Sequence, residues 1–530
     1  MKKLLHIAIL LILSGTLHAQ TMSWITQLNE EENFVAAGAT KYFTVSKTPY
    51  NNRTYTVRSF NSSGTELLAT TIFPNSEYTA MSIVKILATP SDELYILGNI
   101  YSGTIANSVI IKLSSNLLQP WMQEISQGYR TYAQDLAVKG SNIIVLTAIY
   151  PTASLTNGTR AGLTSFNMSN GTVTQSTQTT FDFSPENMAV DGNLNVYVCG
   201  GSAVNTNQGR LVKFNSALAI SWNFLIALST NTIQNSRFLF VQVDATGNVY
   251  VGGNSFNTTY NVIRHQIRKF SPGGTQLSIY TSSNTTTYDH IKEMKLNISG
   301  QLVFAVRIAV IPSSIANYGI YKLSTATPLT LQNSFNTSGY WPSTSQLVVT
   351  GLEVTQGGAV FMTGKRSGTT NLTTNYLSLK LKSNWTYDFS EQYNGGRCNS
   401  VVKAILGPFP NDEFVTTGVI GNINMLIKYT GVAPKLTPDS EPSPVAEITK
   451  MTCYPNPANS FVTIQGITDL NGIKLIDLSG KQHAIHTMET NFDGSTYNIK
   501  IDISQLAKGI YVLSAINQGK VENIKVVVDH

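Results

Sequence analysis

Cysteine is nearly absent from this chain. Only Cys199, Cys398 and Cys453 occur in 530 residues, an odd count at wide spacing. That excludes a disulfide framework and supplies no CxxC zinc pattern. Charge is sparse as well, at 12% Asp, Glu, Lys and Arg with a formal net charge of +6. No Lys/Arg run marks a nucleic-acid surface, so no nucleic-acid partner is expected. Only two histidines, His265 and His290, fall between residues 20 and 431. Neither has a ligand-spaced partner, so a metal site or a histidine-based nucleophile relay is poorly supplied. Each reads as a loop or surface histidine. G-x-S-x-G, H-E-x-x-H and Walker loops are missing too. No cofactor, metal or catalytic residue is assigned from these patterns.

Apolar runs of near-membrane-spanning length are missing everywhere but at the start, MKKLLHIAILLILSGTLHAQ. Lys2 and Lys3 precede the run Leu4 to Leu13, and Leu17-His18-Ala19 forms a small-residue exit. This is the pattern of a secretory signal peptide, residues 1–19, cut between Ala19 and Gln20. The competing reading, a membrane anchor, would need a run of about 20 apolar residues. No later segment is apolar enough to span, so the mature protein is expected to have no transmembrane segment.

What is present is repetition. Asp191-GNLNVYVCGG and Asp244-ATGNVYVGGN share an acidic start, a polar turn, Val-Tyr-Val and a small-residue end. Asx and Gly supply the turn, and Val-Tyr-Val suits a buried pleated surface. Weaker copies begin at Lys41, Glu93, Asn142, Gln301, Ala359 and Glu413, near a fifty-residue spacing. A second phrase follows each: YTVRSF, VIIKLS, AGLTSF, RLVKFN, QIRKFS, GIYKLS, YLSLKL and NMLIKY. Such a period indicates a propeller or solenoid. Each unit reads as four strands. A precedes the turn, B is the Val-Tyr-Val phrase, C is the second phrase, and D often carries tryptophan, as at Trp121, Trp222 and Trp385. B strands read as continuous apolar runs, as strands covered on both faces do. Cys199 reads as a packed core thiol.

The last unit lacks a D strand, and MSWITQL at the start, with Trp24, supplies one. Closing the ring this way removes exposed sheet edges. The expected fold is therefore all-β, an eight-bladed β-propeller over residues 20–431. Seven blades is the alternative if KYFTVSK at Lys41 is not a B strand. VAPKLTPDSEPSPVAEIT then reads as a Pro/Ser/Glu linker, 432–449. A smaller module of alternating strands, 450–530, reads as an Ig-like β-sandwich.

In that module Tyr454-Pro455-Asn456-Pro457-Ala458, LIDLSGK with Gly480, IDISQLAKGIYVLSA with Gly509 and Tyr511, and IKVVV follow in order. They resemble the type A C-terminal sorting domain of the type IX secretion system. The resemblance implies export across the outer membrane of a Bacteroidota-type bacterium and interaction with the secretion machinery. It also implies removal of the module by a sorting peptidase, with release or attachment at the cell surface. Such domains often end in a basic residue, whereas this chain ends Val528-Asp529-His530.

Asp191-Gly192-Asn193-Leu194-Asn195 has the alternating oxygens of a calcium loop, but Ser202 stands where an EF-hand needs its glutamate. A hairpin turn is the simpler reading, and Asp244 reads alike. Asp135, Glu186, Asp289 and Glu391 lie near loop ends, and nothing pairs two of them for glycosidic chemistry. A–B turns such as DATGN, NISGQ and TQGGA are short, while B–C and D–A connections are expected to be long and to share one end of the disc. Function concentrates where long loops sit on a rigid frame. That end carries Tyr129, Tyr132, Tyr288, Tyr340, Trp341 and Tyr393, with Arg130, Arg237 and Arg397. Amphipathic aromatics beside amides suit a glycan or protein ligand, although the same rings also serve to pack loops. The expectation is an exported binding or surface-interaction protein. The rival is a secreted glycan- or peptide-processing enzyme using loop-end carboxylates.

Overall fold

The computed structural model describes residues 22–429 and 452–529, apart from short connecting stretches such as 203–207, 227–232, 311–315, 338–345, 368–374 and 404–413. The signal-peptide and linker segments lie outside the described residues. The chain divides into two compact bodies, Met1–Ala433 and Pro434–His530. Every named element is a β-strand. No helix among the described residues is long and apolar enough to cross a membrane.

The first body is built from four-stranded antiparallel blocks in the order A-B-C-D. The A strands are Glu32–Ala37, Ala80–Ala88, Arg130–Lys139, Ser184–Val190, Ile233–Val243, Thr287–Leu296, Gln346–Val354 and Arg397–Lys403. Each lies against the next, and Arg397–Lys403 lies against Glu32–Ala37, so the A strands follow one another in a closed cycle. The second and third blocks merge into one sheet through a single parallel pairing, Arg130 with Ala106. The KYFTVSK phrase forms the second strand of its block, Tyr42–Lys47. Met22–Leu28 pairs antiparallel with the C strand Ile423–Tyr429 and so takes the D position of the last block.

The repeated phrase has a physical cause. The Asp191 carboxylate accepts hydrogen bonds from the Asn193 and Asn195 amides, from Asn195 Nδ2 and, at 3.0 Å, from the Tyr197 hydroxyl. Asp244 accepts the same set from Thr246, Asn248 and Tyr250. Burial pushes both carboxyls upward, yet these donors outweigh it and hold each below its ordinary value. The loop is thus an Asx turn locked to its own B strand. Val196, Tyr197, Val198 and Cys199 are fully buried. Val196 and Val198 pack toward Ile144 and Leu146 of the block before, Tyr197 and Cys199 toward Val249 and Val251 of the block after. Burying each such side chain is worth about 1.5–3 kcal/mol. A Cβ on Gly252, the counterpart of Cys199, would come within 2.8 Å of Met294 Sδ.

The second phrase staples neighbours. Lys112, Lys213 and Lys269 donate to the carbonyls of Met168, Pro272 and Thr325 in the following block, at 2.7, 2.9 and 2.6 Å. Each ammonium also lies over the B-strand tyrosine beside it, Tyr95, Tyr197 or Tyr250. Trp121 and Trp222 lean on the same turns. Gly171 (φ 74°) and Gly274 (φ 90°) leave the room, since a Cβ there would meet the indoles at 2.6 and 2.8 Å.

Some expectations need correction. Trp385 is buried in a turn with φ 66°, ahead of its D strand Tyr387–Asn394. B–C connections are not uniformly long: Leu94–Ser102 and Ile105–Leu113 are two residues apart, as are Phe414–Ile420 and Ile423–Tyr429. QYNGGRCNS is mostly strand, because Tyr387–Asn394 and Arg397–Lys403 leave only two residues between them. The last A–B connection is the long one of its class, ten residues between Arg397–Lys403 and Phe414–Ile420.

The second body consists of two four-stranded sheets around one core. Val462, Ile464, Ile499 and Ile501 come from one sheet, and Leu475, Leu513, Ala515 and Val526 from the other.

Candidate functional site

A strands begin, and B strands end, at the same end of the first body, which collects the D–A and B–C connections. Tyr129 is exposed there, with the Arg130 guanidinium 5.6 Å from its ring centre. Its hydroxyl lies 3.3 Å from Thr104 Oγ1, and Arg130 Nε donates to the Thr104 carbonyl at 2.8 Å. Tyr132 is half-buried and meets Tyr150 edge to face, 5.7 Å between centres. Tyr288 is half-buried in the A strand Thr287–Leu296. Tyr340 and Trp341 lie outside the described residues. Tyr393 pairs with Tyr376 inside a D strand instead of standing in a loop. Among the described residues no ring contact joins Tyr288 to Tyr129 or Tyr132, so these candidates share an end without forming one cluster.

Three of the four carboxylates are engaged. Asp135 bonds Lys85, and accepts from Asn187 Nδ2 and the Met188 amide of the next block at 2.8 and 3.0 Å. Glu186 pairs with Arg237 across blocks. Asp289 is fully buried and accepts from Ser282 Oγ, Asn284 Nδ2 and Thr287 Oγ1, with His265 Nδ1 3.4 Å away. Burial pushes the Asp289 carboxyl upward, but these partners hold it below its ordinary value. Glu391 lies in a strand whose side chain is outside the described residues.

His265 is therefore no surface residue. It is 2% exposed within a C strand, among Tyr280, Phe304 and Tyr321. His290 also lies in a strand, half-buried. The sequence signal that misled is the polar text around both. His265 is instead covered by aromatic rings of its own block and the next, which are far from it in sequence.

Each A strand carries an irregularity, a bulge that frees a backbone amide. Neighbouring blocks satisfy those amides with side chains. Asn99 accepts from Ala133 and Asn254 from Ile291, while the Tyr318 hydroxyl accepts from Val349; past its own strand's bulge, the Val241 amide donates to Asn187. Further along, Lys295 pairs with Glu353 at 3.1 Å. Glu293 is half-buried beside them, and burial pushes its carboxyl up to about 7. Asp135, from the far side of the cycle, acts electrostatically on both Glu293 and Lys295.

In the second body the YPNP stretch is tied to the last strand, Lys520–Val528. Asn456 Nδ2 donates to the Lys525 carbonyl at 2.6 Å, and Asn456 Oδ1 accepts from the Val527 amide at 2.8 Å. Ala458 extends the ladder by bonding Val527 and Asp529. Tyr511 is buried and donates to the Ala507 carbonyl at 2.8 Å, closing the turn before Gly509. Tyr454 and Pro455 are exposed, and Pro457 and Gly480 lie outside the described residues. Residues 452–529 match the family model described as Secretion system C-terminal sorting domain.

The chain carries a type IX sorting domain. Such a domain marks proteins that are secreted or attached to the cell surface, and it implies interaction with the secretion machinery. No curated protein sequence matches the chain. Solved structures similar to it include a puromycin hydrolase, at TM-score 0.43 and 8% identity, covering 76% of this chain and 60% of that one. The β-propeller domain of the trilobed protease from Pyrococcus furiosus gives 0.41 and 9%, covering 68% and 97%. A polysaccharide lyase, ulvanlyase, gives 0.40 and 7%, covering 67% and 95%. The all-β architecture stands on the strand pairing of the chain itself, and nothing further is drawn from these likenesses.

Proposed function

We propose that this protein is an exported binding or surface-interaction module. Its propeller presents ligand-contacting side chains at the end where D–A and B–C connections meet. We read residues 20–431 as an eight-bladed β-propeller with one blade completed by Met22–Leu28, and 450–530 as an Ig-like sorting sandwich of type A. In this reading a signal peptide of residues 1–19 is cut between Ala19 and Gln20. A sorting peptidase removes the sandwich after passage through the outer membrane of a Bacteroidota-type cell, leaving 432–449 as the linker.

The observation that carries the binding reading is the contrast at the loop end. Tyr129 is exposed and braced by Arg130 and Thr104, while Asp135, Glu186 and Asp289 are each engaged by neighbouring side chains. A braced amphipathic ring suits recognition of a glycan or protein. Carboxylates tied into block-to-block contacts are poorly placed to exchange protons with a substrate, so the enzymatic alternative has less support. The test is a glycan array and a surface pull-down with the full chain, alongside product analysis of every glycan bound. Retention without turnover, lost in Tyr129→Ala at an unchanged melting temperature, is the expected result. Release of shortened glycans would replace the reading with the enzymatic one.

A further inference from the structure

His290 and Arg307 are register partners on adjacent strands of the sixth block, so their side chains leave the same face of the sheet. Lys292 is the extra residue of the bulge between Ile291 and Glu293, and it is exposed. The position held here by Arg307 is held by Asn254 in the block before and by Asn99 in the second block. Those asparagines accept the bulge amide of a neighbouring A strand. In the sixth block the Tyr318 hydroxyl does that work, accepting from Val349 at 3.3 Å. Arg307 is released from it, and an arginine has no acceptor with which to do it.

His290 and Arg307 are donors on one sheet face, and the charge of the bulge residue Lys292 acts on His290. Asn254 Nδ2 lies 3.4 Å from His290 Nδ1, which fits a neutral imidazole with its proton on Nε2. Burial lowers the His290 pKa, and the Lys292 and Arg307 charges lower it further. Among the described residues neither Lys292 nor Arg307 has an ion-pair or hydrogen-bond partner. The nearest carboxylate in sequence, Asp289, is turned to Ser282, Asn284, Thr287 and His265. Glu186 is taken by Arg237, which stands one block earlier at the register position of His290. The same register positions carry Lys365 and Arg397 in the next two blocks.

We propose that His290, Lys292 and Arg307 form an oxyanion site for the carboxylate or sulfate groups of an acidic saccharide. The inference rests on the binding reading above and names its ligand class. Arg307 supplies a planar fork for a carboxylate or sulfate, Lys292 a mobile charge and His290 a neutral donor. Tyr288, two residues before His290 on the same strand face, offers a flat ring beside the donors. That pairing of an apolar face with oxyanion donors favours a sugar acid over an acidic peptide.

The test uses the purified full chain in calorimetric titrations. Probes are chondroitin sulfate oligosaccharides, oligogalacturonates, neutral dextran oligosaccharides and poly-glutamate. Lys292→Gln/Arg307→Gln is compared with the parent, and both are melted to verify folding. The expected result is binding of the sulfated or uronate probes that weakens with added salt and is about tenfold or more weaker in the double variant. Binding to acidic saccharides that the double variant retains in full overturns this site and leaves the binding module standing. Preference for dextran or poly-glutamate also overturns it, again without touching the broader reading. Failure to bind any probe, with an empty glycan array, removes both. If the double variant melts lower, Lys292→Gln alone, at an exposed position, decides by its own loss or retention of affinity.

Discussion

Lys213 Nζ donates to the Pro272 carbonyl 2.9 Å away, although the two residues are 59 apart in sequence. The Trp222 indole nitrogen donates to the same carbonyl at 3.1 Å. One turn thus receives a lysine and a tryptophan from the block before it, and Gly274 lets the indole lie flat. The fifty-residue repeat preserves this joint between blocks, with Lys112 and Trp121 forming its counterpart over Met168 and Gly171.

Gly274→Ala should therefore destabilise the chain twice over. The left-handed φ of 90° alone costs an L-residue about 1–2 kcal/mol, and the new methyl would press into Trp222. Denaturant melts of Gly274→Ala, Trp222→Ala and the double variant separate the two. The indole clash should vanish in the double variant, giving a coupling of about 1 kcal/mol. Strict additivity would show that the indole and the turn do not meet as described.

Deleting residues 22–28 should lower the melting temperature and open the last block to protease. Six register pairs tie Met22–Leu28 to Ile423–Tyr429, and their loss bares a strand edge. Trypsin cleavage mapped by mass spectrometry should rise first near residues 397–429. A parent-like melt with unchanged cleavage would sink the idea that this strand closes the ring.

The repeats, the strand order and the sorting module were legible in the sequence because they depend on local rules. An Asx turn, a β-branched run and a period of fifty residues are written in adjacent letters. The loop-end candidates were legible only in part. Tyr129 stands out as an exposed ring, but Tyr393 turned out to be strand, because a Gly-Gly pair read as a loop is only a short link. His265 was misread because its partners are Asp289, Tyr280 and Tyr321, which no local rule connects to it. The release of Arg307 is likewise invisible without register, since it depends on Tyr318 bonding a residue of the next block.

Asn456→Ala should impair export with little effect on the propeller. The Asn456 amide makes two hydrogen bonds to the last strand, each worth about 1 kcal/mol, and fixes the YPNP stretch that opens the sorting domain. Cell fractionation should show part of the variant held in the periplasm. Removal of residues 450–530 should hold all of it there. Normal secretion of the truncated chain would contradict the sorting assignment, whereas normal secretion of Asn456→Ala alone would limit the role of that amide.

Glu293→Gln should stabilise the chain at neutral and alkaline pH. In the unfolded chain this carboxyl loses its proton near about 4.3, whereas burial holds the proton in the folded chain to about 7. Between those values the folded state binds more protons than the unfolded state, so stability falls as pH rises. Above about 7 the group is ionised in both states and the full penalty persists. Lys295 offsets part of it, but Glu353 already holds Lys295 at 3.1 Å. Glutamine keeps the shape and the hydrogen-bonding capacity and removes the titration. Urea melts at pH 4, 6 and 8 should therefore show parent and variant alike at the lowest pH, with the variant gaining steadily above it. Parallel stability profiles would mean that Glu293 is as well solvated in the folded ring as in the unfolded chain.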